Sequence, residues 1–586
     1  MAEKKRQDDS IAKVKEANIT PAMKEQAKAD SLRMDSTNKL AKGGNFGKEA
    51  AIGKEETVTI ENEVMKVTFS NKGGRVKFVA LKNYKSYDST LVTLGSDNDK
   101  LGYTINSGNT PAQTNELLFT TSAILKNTDG SQVITYSLRD STGKSIEHVY
   151  TIKPNEFMVN WMVNLNGADQ LLTNGAMNIN WHIETMQHER NAKYERAQMS
   201  NICFVEDNEF DYISQKTEHQ FEKPTQWVGA VQQFFNTTLI AKNNFNTGKV
   251  SWARHLVDTS RLLATVDANF QIKVAAGSKA SIPFQMYLGP NDFNVLKKQA
   301  PEMDRIVNLG RDMYSFVRPI NKYVIMPVFN FFSSFIKNFG WVILLLTLFI
   351  RLFTAPLTYG SYLNGAKMKI LRPELDELKK KYKDDQQAFA MAQMKFNKEA
   401  GVNMLGGCIP ALLQIPIFFA LYSFFNSNIA LRGQEFLWSK DLSAYDTFFH
   451  WHTELWAIGN HVSLFTITAV ITSFFISIYN MSMTPTQDNP ALKYMPYIFP
   501  FILFFVFNGL PSALTWYYTV SNLITLGLQF VIQNYIINHD KIIAGIEQKR
   551  KAPKKGPSKW QERLQQVQES QKKIQDMKNR SGQNKK

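Results

Sequence analysis

A chain of 586 residues with 68 Lys/Arg against 52 Asp/Glu is basic, at a formal net charge of +16, yet 40 residues are Phe. Mean hydropathy is only −0.28, and the long apolar runs all follow Tyr323, so a polar half precedes a membrane half. The two cysteines, Cys203 in the polar half and Cys408 at the edge of an apolar run, exclude a disulfide framework and suggest no redox chemistry.

Residues 1–54 are charged, Ala-rich and without an apolar face, which reads as a flexible or weakly helical tether with no signal peptide. From about 55 to 300, short alternating apolar runs are split by turn signals, the pattern of an all-β domain. Val64–Phe69 and Val76–Leu81 flank Ser70-Asn71-Lys72-Gly73-Gly74, a hairpin whose glycines supply positive φ. Similar runs recur at 132–138, 148–152, 157–165, 176–183, 227–240 and 272–288, enough for two large packed sheets. His182, His188 and Glu189, with His148, His219 and His255, are the polar half's candidates for chemistry. They show no HExxH or CxxC spacing, so no metal site is predicted, and surface or turn histidines on a β scaffold are the simpler reading.

Residues 301–338 are a linker ending in 323–338, an amphipathic helix suited to the membrane interface. Five crossings follow at 340–359, 409–430, 462–484, 494–510 and 512–536. The first carries Arg351 in twenty otherwise uncharged residues, at a cost of roughly 2.5–3.5 kcal/mol near a helix centre. Thr347, four residues earlier, shares its helical face, so the cation is expected to look into water or protein rather than lipid. Snorkelling to the headgroups is the alternative. Gln414, Ser423, Asn426, Asn508, Thr515, Ser521 and Asn522 are further polar groups inside the crossings, of the kind that joins helices; their number suggests a partly wet interior. No Walker A loop and no intramembrane carboxylate accompany them.

Between the first two crossings, 364–405 reads as a charged helical hairpin turning at Lys383-Asp384-Asp385. The tail from 537 to 586 is basic, with 14 Lys/Arg from Lys541 onward against Glu547, Glu562, Glu569 and Asp576. Five crossings put these two basic segments on one side, cytoplasmic by charge bias, and the β domain with the 431–461 loop on the other.

GWVILLLTLFIRLFTAPLT (340–358), AKMKILRPELDELKKKY (366–382), GVNMLGGCIPALLQIPIFFALY (401–422) and PSALTWYYTVSNLITLGLQ (511–529) closely resemble the YidC membrane protein insertases of bacteria, relatives of the mitochondrial oxidase-assembly and chloroplast insertases. VTFSNKGGRVKFVALKNY (67–84), WVGAVQQFF (227–235) and YLGP (287–290) resemble the outer domain of Gram-negative members more loosely. The resemblance implies a large β-supersandwich periplasmic domain before a five-helix core in the inner membrane, with no enzymatic activity, cofactor, metal or DNA partner. It implies that Arg351 and Thr347 occupy the family's substrate groove, with Gln414 and Ile415 on the next crossing and the client-contacting Tyr517 and Tyr518 on the last. Implied partners are nascent membrane proteins, the Sec translocon, membrane lipids, and the ribosome through the 364–405 hairpin and tail. Gram-negative members also begin with a membrane helix that 1–54 lacks, so that helix is expected to be missing from this chain. A channel or transporter, or a membrane-anchored carbohydrate-binding or carbohydrate-active β-sandwich, is the alternative reading.

Overall fold

The computed structural model describes residues 44–551, apart from 109, 197–199, 256–259, 383–384, 403–408, 457 and 482–489. The tether up to residue 43, the hairpin tip at Lys383-Asp384, Cys408 and the tail after 551 therefore lie outside the described residues. Two compact units form: one from 1–346, 416–467 and 505–518, the other from 347–415, 468–504 and 519–586.

The first unit holds the β domain. Its largest sheet runs Glu209–Ile213, Asn201–Glu206, Thr225–Val231, Phe235–Phe245, Lys279–Pro290, Met158–Asn166, Ser145–Ile152, Gln132–Arg139 and Thr120–Thr121, with Leu125–Lys126 also on the last long strand. A six-stranded sheet runs Glu218–Phe221, Thr247–Arg254, Leu262–Lys273, Ala176–Met186, Lys100–Ser107 and Thr110–Gln113. A four-stranded sheet holds Thr57–Glu61 to Leu91–Leu94. Alternation decides which side chains enter the sandwich. In Ser145–Ile152, Ile146, His148, Tyr150 and Ile152 are buried while the intervening residues are only half-buried. Phe245 of the large sheet stacks on Phe270 of the six-stranded one at 4.2 Å, and Phe204 meets Phe221 at 5.1 Å, so the two sheets share one aromatic core. Gly73 and Gly74 take φ +80° and +52° in the predicted turn, and the Gly74 carbonyl accepts Tyr150 OH at 2.8 Å.

Two expected runs are each more than one strand. The 227–240 run divides at Gln232-Gln233-Phe234 into two strands, because Gln232 turns inward to donate to Met186 O (2.7 Å) and the Glu195 carboxylate (3.2 Å). The 272–288 run likewise spans the end of Leu262–Lys273 and Lys279–Pro290.

Polar contacts fasten the β domain within this unit. Tyr194 OH donates to Asn426 Oδ1 (2.9 Å), Ser427 Oγ to Asn308 O (2.9 Å) and Asn321 Nδ2 to Ala420 O (2.8 Å). Arg432 Nε donates to Glu189 Oε1 at 2.8 Å, with both side chains about nine-tenths buried, and its guanidinium lies 5.0 Å from the Phe235 ring. Glu195, fully buried beside them, accepts the Glu189 backbone N–H at 3.1 Å. Burial pushes both carboxyls above the usual carboxylate range, and the Arg432 charge pulls them back.

The apolar runs fold as helices: α1 (Met326–Ser333), α2 (Phe339–Lys381), α3 (Gln386–Glu399), α4 (Ile409–Ser427), α5 (Leu464–Met481), α6 (Pro490–Phe507), α7 (Ser512–Val531) and α8 (His539–Lys551). On length and composition α2 and α5 can cross a membrane; Ser512–Ile536 and α8 form a pair bent by 74°, and the apolar stretches Leu412–Ser427 and Tyr494–Phe507 are shorter. Helix ends differ from the expected crossing limits at four places. The helix that opens the first expected crossing does not stop at 359: glycine costs only about 1 kcal/mol inside a helix, and α2 continues through Gly360 and Gly365 into the first arm of the hairpin. The third starts at Leu464, because Gly459–Val462 pairs with Phe449–Leu455 in a β-hairpin inside the expected loop. The second and fourth end at Ser427 and Phe507.

In the second unit the hairpin root is not a bare charged connector. Ala366, Leu371, Ala400 and Val402 pack with Ile532, Ile537, Ile542 and Ile546 in one cluster. The first part of the basic tail is thus an ordered helix, α8, with Arg550 paired to Glu374 (2.7 Å) and over the Phe396 ring.

Candidate functional site

Arg351 lies one-third of the way along α2, partly exposed. Its guanidinium reaches α7 in the same unit, where Nε donates to Ser521 Oγ at 2.8 Å and Nη2 donates to the same hydroxyl. Among the described residues no carboxylate is paired with it, and the Ser521 hydroxyl holds it in place.

The rest of α7 explains why Ser521 stays put. Successive helical residues point about 100° apart, so Asn522 faces a different neighbour from Ser521. Asn522 Nδ2 donates to Ser473 Oγ (2.8 Å), Thr472 Oγ1 (3.1 Å) and Ala469 O (3.3 Å) of α5. Thr519 meets Thr468 at 3.0 Å, Gln529 donates to Asn480 at 3.2 Å, and Gln533 accepts from Tyr479 at 2.9 Å. A polar seam thus locks α7 to α5 while Ser521 is left for the arginine. Sequence reading singled out Ser521 and Asn522 as polar residues but not this division of labour. Their adjacency on a helix, facing two ways, was the available signal.

Thr347 is wholly buried one turn before Arg351. Gln414 is half-buried with Nε2 lacking a hydrogen-bond partner among the described residues, and Ile415 is half exposed. These share a unit with Arg351, whereas Tyr517 and Tyr518 belong to the other. There Tyr517 is fully buried against Phe425 (6.4 Å), its hydroxyl also unpartnered among the described residues. Tyr518 is partly exposed, 4.7 Å from Phe507 and 6.0 Å from Phe418. A buried polar atom without a partner is uncommon and points to water or a ligand at that place.

The histidines of the β domain do not converge, and no group of three potential metal ligands occurs among the described residues. His182 meets Asp267 (2.6 Å), His219 meets Glu206 (3.0 Å) and His255 meets Thr265 (2.7 Å). Two are not the surface or turn residues expected: His148 faces the core from a strand, and His188 is buried, which lowers it to about 3. His148 donates from Nδ1 to Gly74 O (2.9 Å) and accepts Tyr103 OH at Nε2 (2.9 Å), and burial lowers it to about 4.

A histidine kept neutral by folding lowers stability once the unfolded chain can take up its proton. His148 therefore weakens the β domain as pH falls below 6.5, by about 2 kcal/mol between pH 7.5 and 5. Asp99, raised to about 6 by burial, works in the opposite sense. Thermal unfolding of wild type and His148→Gln at both pH values isolates the histidine, since Asp99 is common to both. The variant is expected to lose less on acidification; equal losses would refute this account.

Comparison with known proteins follows the same division. Residues 57–323 match the family model "YidC periplasmic domain", and 331–540 match "60Kd inner membrane protein". A membrane protein insertase YidC from Parabacteroides distasonis is 34% identical over 97% of this chain and 93% of its own length. One from Porphyromonas gingivalis (strain ATCC 33277) is 32% identical over 96% and 91%. Among solved structures, an active YidC insertase with its first transmembrane domain resolved is 20% identical, covering 83% of this chain and 93% of that one, at a TM-score of 0.34.

Proposed function

This chain belongs to the YidC family of membrane protein insertases, and from that premise we propose that it moves nascent membrane proteins into the bilayer by electrostatic capture at Arg351. The observation that carries the reading is the guanidinium fixed by Ser521, with no carboxylate paired to it among the described residues, on a helix otherwise apolar for a full crossing. Lys/Arg bias places the 364–405 hairpin and the tail in the cytoplasm and the β domain in the periplasm. A groove beside Arg351, open to cytoplasm and lipid, lowers the cost of carrying a client's polar segment, whose unpaired groups would each cost several kcal/mol in hydrocarbon. Weak screening lets one fixed positive charge draw an acidic segment inward. The client's apolar helix then moves along Gln414 and Ile415 into lipid, driven by its own burial, and Tyr518 is proposed separately as a client contact. No bond is made or broken, and no cofactor takes part. The family resemblance adds the Sec translocon as a proposed partner, and the basic hairpin and tail suit ribosomal RNA or anionic lipid.

Photocrosslinking residues at Ile415 and Tyr518, both accessible, test this during synthesis of a two-span client. Adducts that form only while the client is being inserted are expected at both positions. A channel or transporter instead predicts no client adducts and solute flux in reconstituted vesicles.

A further inference from the structure

The loop before α5 contains the segment Phe448–Trp456, FFHWHTELW, which includes four aromatic rings and one acidic residue. Folded as the 449–462 hairpin, it buries little of that apolar surface: Trp456 is 96% exposed, Phe448 and Phe449 65% each, and Leu455 49%. Its position is fixed at both ends. Before it, the Asp446 carboxylate accepts the backbone N–H groups of Leu464 (2.8 Å) and Phe465 (3.2 Å), capping α5. After it, Ser463 N–H donates to Asn508 Oδ1 at 3.0 Å. The tip is held as well. Asn508, which directly follows α6, donates from Nδ2 to Ile458 O (2.9 Å) and His461 O (2.7 Å), and its carbonyl pairs with His461 Nε2 (2.7 Å). A strand pair of this length could otherwise reach about 20 Å from its base. Here the tip is tied down on the α6–α7 turn, and Trp456 lies two residues from the tie.

We propose that this hairpin is an interfacial anchor, with Phe448, Phe449, Leu455 and Trp456 seated in the headgroup–acyl boundary of the leaflet that α5 enters. The argument for lipid as the occupant is continuity: the ends of two crossings, α5 and α6, hold the hairpin where aromatic rings concentrate on membrane proteins. With one carboxylate and no lysine or arginine in the segment, it fits a zwitterionic surface and needs no anionic lipid. The anchor fixes the β-domain end of these crossings in depth.

The proposal rests on α5 crossing the membrane, so the test reads both. An environment-sensitive fluorescent amino acid is placed at Trp456, at Ile471 on the exposed side of α5, or at Asp129 in an exposed β-domain turn. The full-length protein is studied in phosphatidylcholine nanodiscs with spin-labelled lipids. Position 456 is expected to be blue-shifted relative to 129 and quenched at least twofold more by shallow than by deep spin labels, with position 471 quenched by the deep ones. Water-like emission at 456 with deep quenching at 471 overturns the anchor alone. Loss of quenching at 471 overturns the crossing on which it rests. A probe at 456 shielded from iodide but untouched by lipid quenchers identifies a protein partner or a second copy instead, and also overturns the proposal.

Discussion

Arg351→Ala is expected to reduce insertion of clients with acidic translocated segments about tenfold or more, and to leave clients with neutral segments within about twofold. At an effective dielectric near 20, a guanidinium and a carboxylate about 5 Å apart attract by about 3 kcal/mol, and a surplus of half that after desolvation corresponds to tenfold. Arg351→Lys keeps the charge and is expected to keep most of the activity. Ser521→Ala keeps the charge but frees it to swing, giving a smaller loss that shows first for clients with a single carboxylate. Protease-protected insertion into proteoliposomes, with paired clients whose acidic residues are changed to amides, measures all three. If alanine at 351 leaves acidic and neutral clients equally well inserted, the charge is dispensable.

The second large effect concerns the first unit. Arg432→Ala leaves the Glu189 carboxylate without its ion-pair partner and Glu195 without the nearest positive charge, both deeply buried. Removing one partner of a buried pair costs about 3–5 kcal/mol. These carboxyls already sit above their unfolded range, so the folded state binds more protons than the unfolded one as pH rises toward neutrality. Loss of the arginine raises them further, so the variant's deficit grows with pH and shrinks below it. Melting of detergent-purified protein at pH 5.5 and 7.5 is expected to show the larger drop at 7.5. Glu189→Gln in the same chain is expected to recover part of it. A deficit independent of pH would assign the loss to packing on Phe235 instead.

Much of this was legible in the sequence, and what was missed has identifiable physical causes. Alternation in SIEHVYTI places His148 among Ile146, Tyr150 and Ile152, so its burial could be read from parity alone. Gly73-Gly74 marked its turn, and the apolar runs marked their helices. Arg351 stood out as the one charge in such a run, and Thr347 by lying four residues before it on the same helical face. Arg432 with Glu189, and Arg351 with Ser521, are pairs separated by 243 and 170 residues, which no local period reveals. The 449–462 hairpin was hidden for another reason: its strands carry aromatic and histidine residues on both faces, so no apolar–polar alternation marks them. The uncharged run ending at Tyr359 set the expected crossing, but its length says nothing of where the helix ends, and α2 runs on to Lys381.

Arg351 and Lys381 belong to one continuous helix, separated by about 45 Å of rod. Two prolines interrupt it between them: Pro356 and Pro373 each delete a backbone hydrogen bond and concentrate bending compliance there. The beam is further braced near its far end by the isoleucines of α8. A load applied where the hairpin emerges would therefore be taken up as bending at Pro373 and then Pro356, and the turn that bears the guanidinium lies beyond both.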